Sequence, residues 1–286
     1  MELDINKIKQ KPISDLISFS IINIDKPAGP TSFSVDLIVK KALGLNKTSH
    51  FGTLDPQVTG VLPIALGRAC RLSDYFMHKD KTYVGIMHLH EEISDERLRK
   101  EIKSFTGKIM QLPPVKSRVK REIREREIKK FEILEREGKD VLFIAEVQAG
   151  TYIRKLIHDL GEKIGGAHML ELRRTQAGIF SEEDESFINL YDFEKAVEEF
   201  KAGNEQALRK ILIPAEIALL KVMPSIQVKK EKIKQILTGK PLMKMDITEK
   251  LPSEEKFALF LDNRLIGIYR KSEESDIIAR PEFVFN

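Results

Sequence analysis

Interleaved strand-like and helix-like segments make the sequence compatible with an α+β fold class. Apolar strand patterns occur at 19–24, 61–66 and 81–90, and helical apolar spacing follows Thr31 and Ser94. The C-terminal segment adds a β-rich pattern with a hairpin signal. At 286 residues the chain can bury a large core, so one large domain with a small one is expected.

We expect three parts along the chain. Residues 1–17 form an N-terminal extension with little core of its own, 18–214 form the main domain, and 215–286 form a small C-terminal domain. In the last part a helix at 229–237 precedes a hairpin whose turn falls at 262–263.

The elements of the main domain follow from periodicity and from capping residues. Thr31 or Ser32 can cap a helix that Gly44 ends, and Ser94 starts one that Gly107 ends. The remaining predicted elements are strands at 131–134, 141–147 and 169–175, and helices at 151–161, 189–201 and 207–212.

Composition excludes several classes of site. Cys70 is the only cysteine, so no intrachain disulfide and no cysteine-based metal site can form within the chain. There is no apolar run of about eighteen residues and no signal-peptide pattern, so we expect a cytoplasmic protein with no membrane partner. The net charge of +4 allows nucleic acid as a partner without requiring it.

The stretch 50–63 carries the strongest chemical signal. Pro56 biases Asp55 toward an extended backbone, while Gly52 and Gly60 permit positive φ or a close backbone approach. An apolar strand pattern follows, so Asp55 is expected on a tight loop at the edge of the core, where it can meet a substrate. Ordinary turn chemistry is the alternative interpretation of this Asp-Pro pair.

Two further residues stand out by their position in predicted elements. Thr151 can cap a helix whose first turn contains Arg154, an unfavourable place for a cation beside the helix dipole, which indicates an anionic group nearby. Tyr83 lies on a predicted strand, where core packing with a solvated hydroxyl is the alternative to a functional role.

His88 and His90 share one strand face and could be half of a metal site. With no third ligand in an obvious place, we interpret both as structural and predict no metal.

Four motifs, in order, resemble those of the TruB-type pseudouridine synthases. They are Asn-x-Asp-Lys-Pro-x-Gly-x-Thr-Ser at 23–32, His-x-Gly-Thr-Leu-Asp-Pro at 50–56, Gly-Thr-Tyr-Ile-Arg at 150–154 and Leu-Arg-Arg-Thr-x-x-Gly at 172–178. The resemblance covers about residues 18–180. Phe51 departs from the pattern, because a small residue is expected there.

The resemblance implies a role for each candidate site residue. Asp55 would attack the target uridine, Arg154 would pair with Asp55 and hold it ionised, and Tyr83 would stack on the flipped base and assist proton removal. The implied reaction cleaves the N1–C1′ bond, turns the base and rejoins it through C5, without a cofactor. It stays open whether the carboxylate bonds to C1′, bonds to C6 or guides a glycal intermediate. The implied substrate-binding residues are His50, Gly52, Thr53, Leu54 and Leu172.

The same resemblance interprets the basic and architectural segments. The segment 113–126 resembles a thumb loop that clamps the RNA backbone, and a solvated charged face is the alternative. Asp25 and Lys26 would buttress the catalytic loop, whereas Arg173 and Arg174 would serve RNA or cover the surface. The thumb residues expected to contact RNA are Lys116, Arg118, Lys120 and Arg121.

The implied fold is a mixed, mainly antiparallel sheet with flanking helices, followed by a small β-barrel that resembles an RNA-binding PUA domain. Several segments resemble the archaeal dyskerin-like branch, the catalytic subunit of box H/ACA guide-RNA particles. That branch implies ribosomal RNA as substrate, a guide RNA, and zinc-ribbon, β-barrel and kink-turn-binding protein partners. A stand-alone tRNA synthase is the runner-up, because the extension is short and the PUA-like part reduced. A non-catalytic RNA-binding scaffold ranks last, because Asp55, Tyr83 and Arg154 are all present.

Overall fold

The computed structural model describes residues 3–114, 120–274 and 276–285. The chain divides into two compact units: Ile22–Ile211, and a smaller one that combines Met1–Ile21 with Leu212–Asn286. The first 21 residues thus belong with the C-terminal segment, whereas the sequence suggested a separate extension.

Helices and strands are interleaved along the described chain. Its helices are α1 (Ile5–Lys9), α2 (Ile13–Ser18), α3 (Ser32–Ala42), α4 (Ser73–Met77), α5 (Asp95–Ser104), α6 (Ile153–Ile164), α7 (Leu190–Lys201), α8 (Gln206–Ile211), α9 (Ala215–Leu220) and α10 (Ile233–Ile236). Its strands are β1 (Ser20–Lys26), β2 (Thr48–His50), β3 (Thr59–Leu66), β4 (Lys81–Leu89), β5 (Gly107–Gln111), β6 (Arg124–Glu137), β7 (Asp140–Val147), β8 (Ala167–Ala177), β9 (Phe180–Ser181), β10 (Phe187–Asn189), β11 (Ile213–Pro214), β12 (Ser225–Gln227), β13 (Leu242–Met243), β14 (Lys256–Leu261), β15 (Arg264–Lys271) and β16 (Ile277–Val284).

A mixed sheet forms the centre of the larger unit. Its strand order is β10-β1-β3-β8-β4-β7-β6-β5, with β2 paired to β3 and β9 paired to β8. The long pairs β4–β8, β4–β7 and β6–β7 are antiparallel, whereas β3–β8 and β1–β10 are parallel. This is the mixed, mainly antiparallel sheet of the predicted α+β class.

Helix α6 shows why the sequence folds this way near the site. Its apolar residues recur at helical spacing and pack against β8, so one face is buried. Gly165 ends the helix in the left-handed conformation at φ +90°. The buried side chains on this face are Ile153, Leu156, Ile157, Leu160 and Ile164.

The smaller unit is built on a curled five-stranded sheet of order β12-β14-β15-β16-β13. A two-residue turn joins β14 to β15 at the predicted place, with Asp262 at φ +51°. The N-terminal segment is anchored here, because Lys11 Nζ lies 2.6 Å from Glu216 Oε1 and the side chain of Ile8 is fully buried.

Four sequence-based element assignments were wrong in detail. Thr151 does not cap α6: its hydroxyl donates to the Gln148 carbonyl, and Tyr152 is the N-cap residue. The helix expected at 229–237 is a 3-10 turn followed by the short α10. Strand β1 continues through Asp25 and Lys26, and β6 begins inside the basic segment at Arg124.

Among the described helices, none is long and apolar enough to cross a membrane.

Candidate active site

Asp55 lies on the loop between β2 and β3, with its side chain 49% exposed. Gly52 and Gly60 flank this loop with φ +113° and +99°, as their glycine identity allows. A Cβ on Gly60 would collide with the backbone carbonyl of Arg174, so the loop end approaches β8 more closely than any larger residue permits. The loop is therefore fixed where it joins the sheet.

Two buried side chains hold the loop from below. The Lys26 ammonium is fully buried and donates to the carbonyls of Pro27, Pro56 and Val58 at 2.8, 2.9 and 2.9 Å. These bonds use its three donors, so the side chain is protonated. Burial lowers the pKa of Lys26, and the charge of Asp55 opposes that shift. Lys26 is thus an internal brace for the Asp55 loop.

Ser32 provides the second brace from the start of α3. Its hydroxyl donates to the Leu54 carbonyl at 2.9 Å and accepts from the Leu54 amide at 2.8 Å. Leu54 itself is only 3% exposed, so its side chain lies in the core rather than at the surface of the loop. These bonds fix the residue immediately before Asp55.

Arg154 reaches Asp55 from the first turn of α6. Its Nη2 lies 2.5 Å from Asp55 Oδ2, and the two side chains are 59% and 49% exposed. The cation that opposed the helix dipole therefore has an anionic partner, 99 positions earlier in the chain. The pair presents an oriented carboxylate at an accessible surface.

Gln111 fixes the start of α6 and was not identified from the sequence. This buried side chain accepts from the Tyr152 amide at 2.8 Å and donates to the Tyr152 carbonyl at 3.1 Å. Tyr152 is the N-cap residue of α6 and makes no side-chain cap hydrogen bond, so Gln111 holds the backbone where the chain enters the helix. Gln111 thereby orients the turn that carries Arg154.

His50 lies at the end of β2, beside the loop. Its Nδ1 lies 2.5 Å from Asp36 Oδ2, and its Nε2 lies 3.0 Å from the hydroxyl of the exposed Thr53. The ring is thus held between the helix α3 carboxylate and the loop. Asp36, on the buried side of α3, is a further residue that the sequence did not single out.

Tyr83 and Leu172 lie on the same face of neighbouring antiparallel strands. Gly85 is the register partner of Leu172, and a Cβ at Gly85 would lie 3.0 Å from Leu172 Cδ1. The missing side chain at Gly85 therefore lets Leu172 lie flat over the strand. Tyr83, two residues earlier, is partly exposed and pairs with Arg174. This face combines an aromatic ring, an aliphatic side chain and a cation.

Arg174 is buried, and neither predicted role for it was correct. It is 1% exposed, so it cannot cover the surface or contact RNA directly. Its Nε donates to the Val61 carbonyl at 2.8 Å and its Nη2 to the Gly52 carbonyl at 3.0 Å. The period-2 alternation of β8, which places position 174 on the face of Leu172, was the available signal.

Arg173, on the opposite face of β8, is an ion-pair residue. It donates to both carboxylate oxygens of Asp25 at 2.9 and 3.1 Å, and to Glu182 at 2.7 Å. Its side chain is 36% exposed, but its hydrogen-bonding capacity is largely used within the protein. Arg173 and Asp25 therefore tie β1 to β8 rather than forming a free RNA contact.

Lys81 is a second buried cation near Arg174. It is 5% exposed and donates to the carbonyls of Met77 at 2.6 Å and Lys79 at 2.5 Å. Burial, and then the positive charge of Arg174, lower the pKa of Lys81 to about 8.

The departure from the family pattern at Phe51 is absorbed by the core. Its ring is 1% exposed and stacks on Phe76 at 5.0 Å between centroids, with Phe180 5.9 Å away. A large residue at this position fills an aromatic cluster behind the loop.

The basic segment is described only in part. Lys116 and Arg118 lie outside the described residues. Lys120 and Arg121 are exposed, and Lys120 forms an ion pair with Glu122. Exposed pairs of this kind are weak, so both cations can be recruited by a phosphate.

His88 and His90, interpreted as structural because no third ligand lay in an obvious place, have a histidine neighbour on β8. The β4–β8 register places His168 opposite His88, and His168 Nδ1 lies 2.9 Å from His90 Nε2. Asp140 Oδ1 lies 2.6 Å from His88 Nδ1. Within the described chain, the one group with ligand atoms close enough for a cation is His158, Asp159 and Glu162 on α6. That acidic cluster is solvated and bonded to Lys155, so it gives no metal assignment.

Comparison with known proteins identifies the family. The model of the TruB family pseudouridylate synthase N-terminal domain matches residues 40–153, and that of the tRNA pseudouridylate synthase B C-terminal domain matches residues 154–220. A Methanopyrus kandleri protein named "Probable tRNA pseudouridine synthase B" is 47% identical over 81% of this chain and 68% of that protein. This chain belongs to the TruB family of pseudouridine synthases, which are RNA isomerases. It spans roughly two thirds of the length of the curated relatives it matches.

Two solved structures are similar to this TruB-family chain over nearly its whole length. A crystal structure of a Cbf5-Nop10-Gar1 complex is similar over 98% of this chain and 88% of the matched chain, with a TM-score of 0.87 and 38% identity. A structure of an H/ACA RNP bound to a substrate RNA containing 2′-deoxyuridine is similar over 98% and 89%, with a TM-score of 0.85 and 37% identity. The similarity therefore includes both compact units.

Proposed function

We propose that this protein isomerises uridine to pseudouridine in RNA as the catalytic subunit of a guide-RNA particle. The half-exposed Asp55 carboxylate, held by Arg154 at 2.5 Å on a loop braced by Lys26 and Ser32, carries the chemical part of the proposal. An ionised, oriented and accessible carboxylate is what attack on the nucleotide requires. The similarity to structures of H/ACA and Cbf5 complexes supports the guide-dependent part.

In this proposal each site residue has a distinct task. Asp55 reacts with the uridine, and Arg154 keeps the carboxylate charged and correctly oriented. The base leaves its stack before the reaction and lies between Tyr83 and Leu172, while His50 fills the space it vacates. Gly52, Thr53 and Leu54 shape the loop around the ribose. The proposed reaction needs no cofactor, because the N1–C1′ bond that breaks and the C5–C1′ bond that forms belong to the same nucleotide.

The proposed RNA grip lies on the basic segment. Lys116, Arg118, Lys120 and Arg121 would neutralise backbone phosphates, a contribution that weakens as salt concentration rises. Guide RNA, together with zinc-ribbon, β-barrel and kink-turn-binding proteins, would select the target uridine in ribosomal RNA. The protein itself would read the backbone and one extruded base.

A stand-alone tRNA synthase is the second candidate, favoured by the names of the curated relatives, which are tRNA pseudouridine synthase B proteins. In that role the protein would act on the T-loop uridine without a guide. A non-catalytic scaffold would have no need for the Asp55–Arg154 pair, which is intact here.

The deciding experiment measures pseudouridine formation on tRNA and on ribosomal RNA fragments by the purified protein. Each reaction is run with and without a matched guide RNA and the partner proteins. Activity on ribosomal RNA only with guide and partners supports the first candidate. Turnover of tRNA that does not respond to guide supports the second, and inactivity under every condition supports the scaffold.

A further inference from the structure

Arg174 touches both halves of the proposed catalytic apparatus. Its Nη2 binds the carbonyl of Gly52, three residues before Asp55, at 3.0 Å. Across the β4–β8 pair it is the direct register partner of Tyr83. Directly opposed residues on antiparallel strands have Cβ atoms about 5 Å apart and interact. The loop and the tyrosine thus meet on one guanidinium.

The environment of Arg174 is costly for a charge. The side chain is 1% exposed, and its Nε and Nη2 donate to the carbonyls of Val61 and Gly52. Burying a cation without an anionic partner is unfavourable, and burial lowers the pKa of Arg174. Tyr83 opposes that shift through its charge interaction and its side-chain hydrogen bond. If Arg174 only held the Asp55 loop in place, its guanidinium would not need to lie opposite Tyr83.

Among the described side chains beside Tyr83 in the sheet, no other offers an equivalent group. Its β7 partner is Ala145, which is apolar and buried. Lys81 lies two residues earlier on the same face of β4, but its ammonium binds the carbonyls of Met77 and Lys79. Asp55 and Arg154, on the loop and on α6, are paired with each other. Arg174 is therefore the cation directly opposite the tyrosine.

We propose that Arg174 is a positioning residue that holds the Tyr83 hydroxyl oxygen for removal of the C5 proton after the base has rotated. In that step the C5–H bond breaks and its electron pair forms the C5–C6 double bond, while the pair displaced from C6 moves to N1, which takes a proton from water. The C5 proton moves to the tyrosine oxygen as the proton of the hydroxyl passes to water. The guanidinium donates to that oxygen and aligns it with the proton. This inference rests on the proposed function of Tyr83 and extends it to a residue that never touches the RNA.

The test compares Arg174→Gln and Arg174→Lys with the wild-type protein in whichever condition the wild type is active. Single-turnover rates are measured with RNA carrying hydrogen or deuterium at C5 of the target uridine. We expect each variant to be slower by about tenfold or more, with RNA affinity nearly unchanged. We also expect a primary isotope effect larger than in the wild type, because proton removal becomes the slow step. A loss of loop structure would not produce that isotope effect.

A double-mutant cycle assigns the effect to Tyr83. In a Tyr83→Phe background, Arg174→Lys should cause little further loss, since the group it positions is gone. Arg136→Gln is the matched control: it removes a guanidinium that donates to the Gly138 carbonyl and pairs with Asp95, outside the proposed site, and it should retain the wild-type rate and isotope effect. Thermal unfolding shows which variants are folded.

Several results would overturn the inference. They are an unchanged isotope effect in folded Arg174 variants, an additive loss in the Tyr83→Phe background, or the same loss in Arg136→Gln. If both Arg174 variants fail to fold while Arg136→Gln folds, Arg174 serves the structure alone. Failure of the proposed function is distinguishable, because then the wild type itself is inactive under every condition.

Discussion

The site has two layers that use charge in opposite ways. The rim, Asp55 and Arg154, is about half exposed and pairs a carboxylate with a guanidinium. The floor, Lys26, Lys81 and Arg174, is buried, and each of these side chains donates to backbone carbonyls. Exposed charges remain available to a substrate, whereas the buried cations hold together the backbone segments that they bind. Rim substitutions should therefore change activity without stability, and floor substitutions should change stability first.

The largest expected effect is at the rim, from Asp55→Asn. The amide keeps the shape of the carboxylate but removes the nucleophile, so turnover should be abolished while RNA affinity stays nearly intact. Pseudouridine formation and RNA binding are measured on the same preparation. Asp159→Asn, at an aspartate on α6 paired with Lys155, is the matched control and should be fully active. Normal turnover by Asp55→Asn would refute the central assignment.

The next effect tests the floor, through Lys26→Met. Methionine leaves the carbonyls of Pro27, Pro56 and Val58 without their donor. The expected loss is about 2–4 kcal/mol of unfolding free energy, measured by urea denaturation, together with reduced activity as the Asp55 loop loosens. Lys108→Met removes an exposed lysine paired with Glu125 and should leave the free energy of unfolding nearly unchanged. Equal losses in both variants would contradict the contrast between floor and surface.

A pH measurement on Lys81→Met sharpens the comparison further. The pKa of Lys81 is about 8 in the folded protein against 10.5 for a free lysine. Between these values the unfolded chain binds more protons, so the wild type gains stability as pH rises through this window. Below pH 8 both states are protonated, and the contribution is constant. Wild-type stability relative to Lys81→Met should rise by up to about 3 kcal/mol from pH 8 to 10.5. If the difference in unfolding free energy between the wild type and Lys81→Met did not change with pH, burial would not lower the pKa of Lys81.

The rim could be predicted from sequence, and the floor mostly could not. Asp55 and Arg154 belong to short motifs, and the misplaced cation at the start of α6 already indicated its anion. Arg174 belongs to such a motif as well, yet an arginine on a strand is usually exposed. Its burial depends on the carbonyls of Gly52 and Val61, more than 110 positions away in the chain. Only the folded register supplies those partners.

The unknown register between distant segments also explains the other differences between the predicted and the observed structure. Strand β4 was predicted from alternation and β8 from the Leu-Arg-Arg-Thr motif, but their register was not predicted, so His168 was not placed opposite His88. The charged start of β6 at Arg124 was interpreted as loop, although it pairs with Gln111 on β5. Local pattern identifies elements and their faces, whereas contacts between distant segments decide which polar groups become buried.

The smallest effect tests the support of the rim, through Gln111→Leu. Leucine keeps the volume but leaves the Tyr152 amide without its acceptor, which should cost about 1–3 kcal/mol. Because Tyr152 caps the helix that carries Arg154, turnover should fall more than RNA affinity. Gln176→Leu, at an exposed amide that donates to the Gly178 carbonyl, is the control and should change neither. If Gln111→Leu lost stability but kept full turnover, the Asp55–Arg154 pair would be self-supporting. The geometry of Asp55 and Arg154 would then depend on their ion pair and not on the hydrogen bonds between Gln111 and Tyr152.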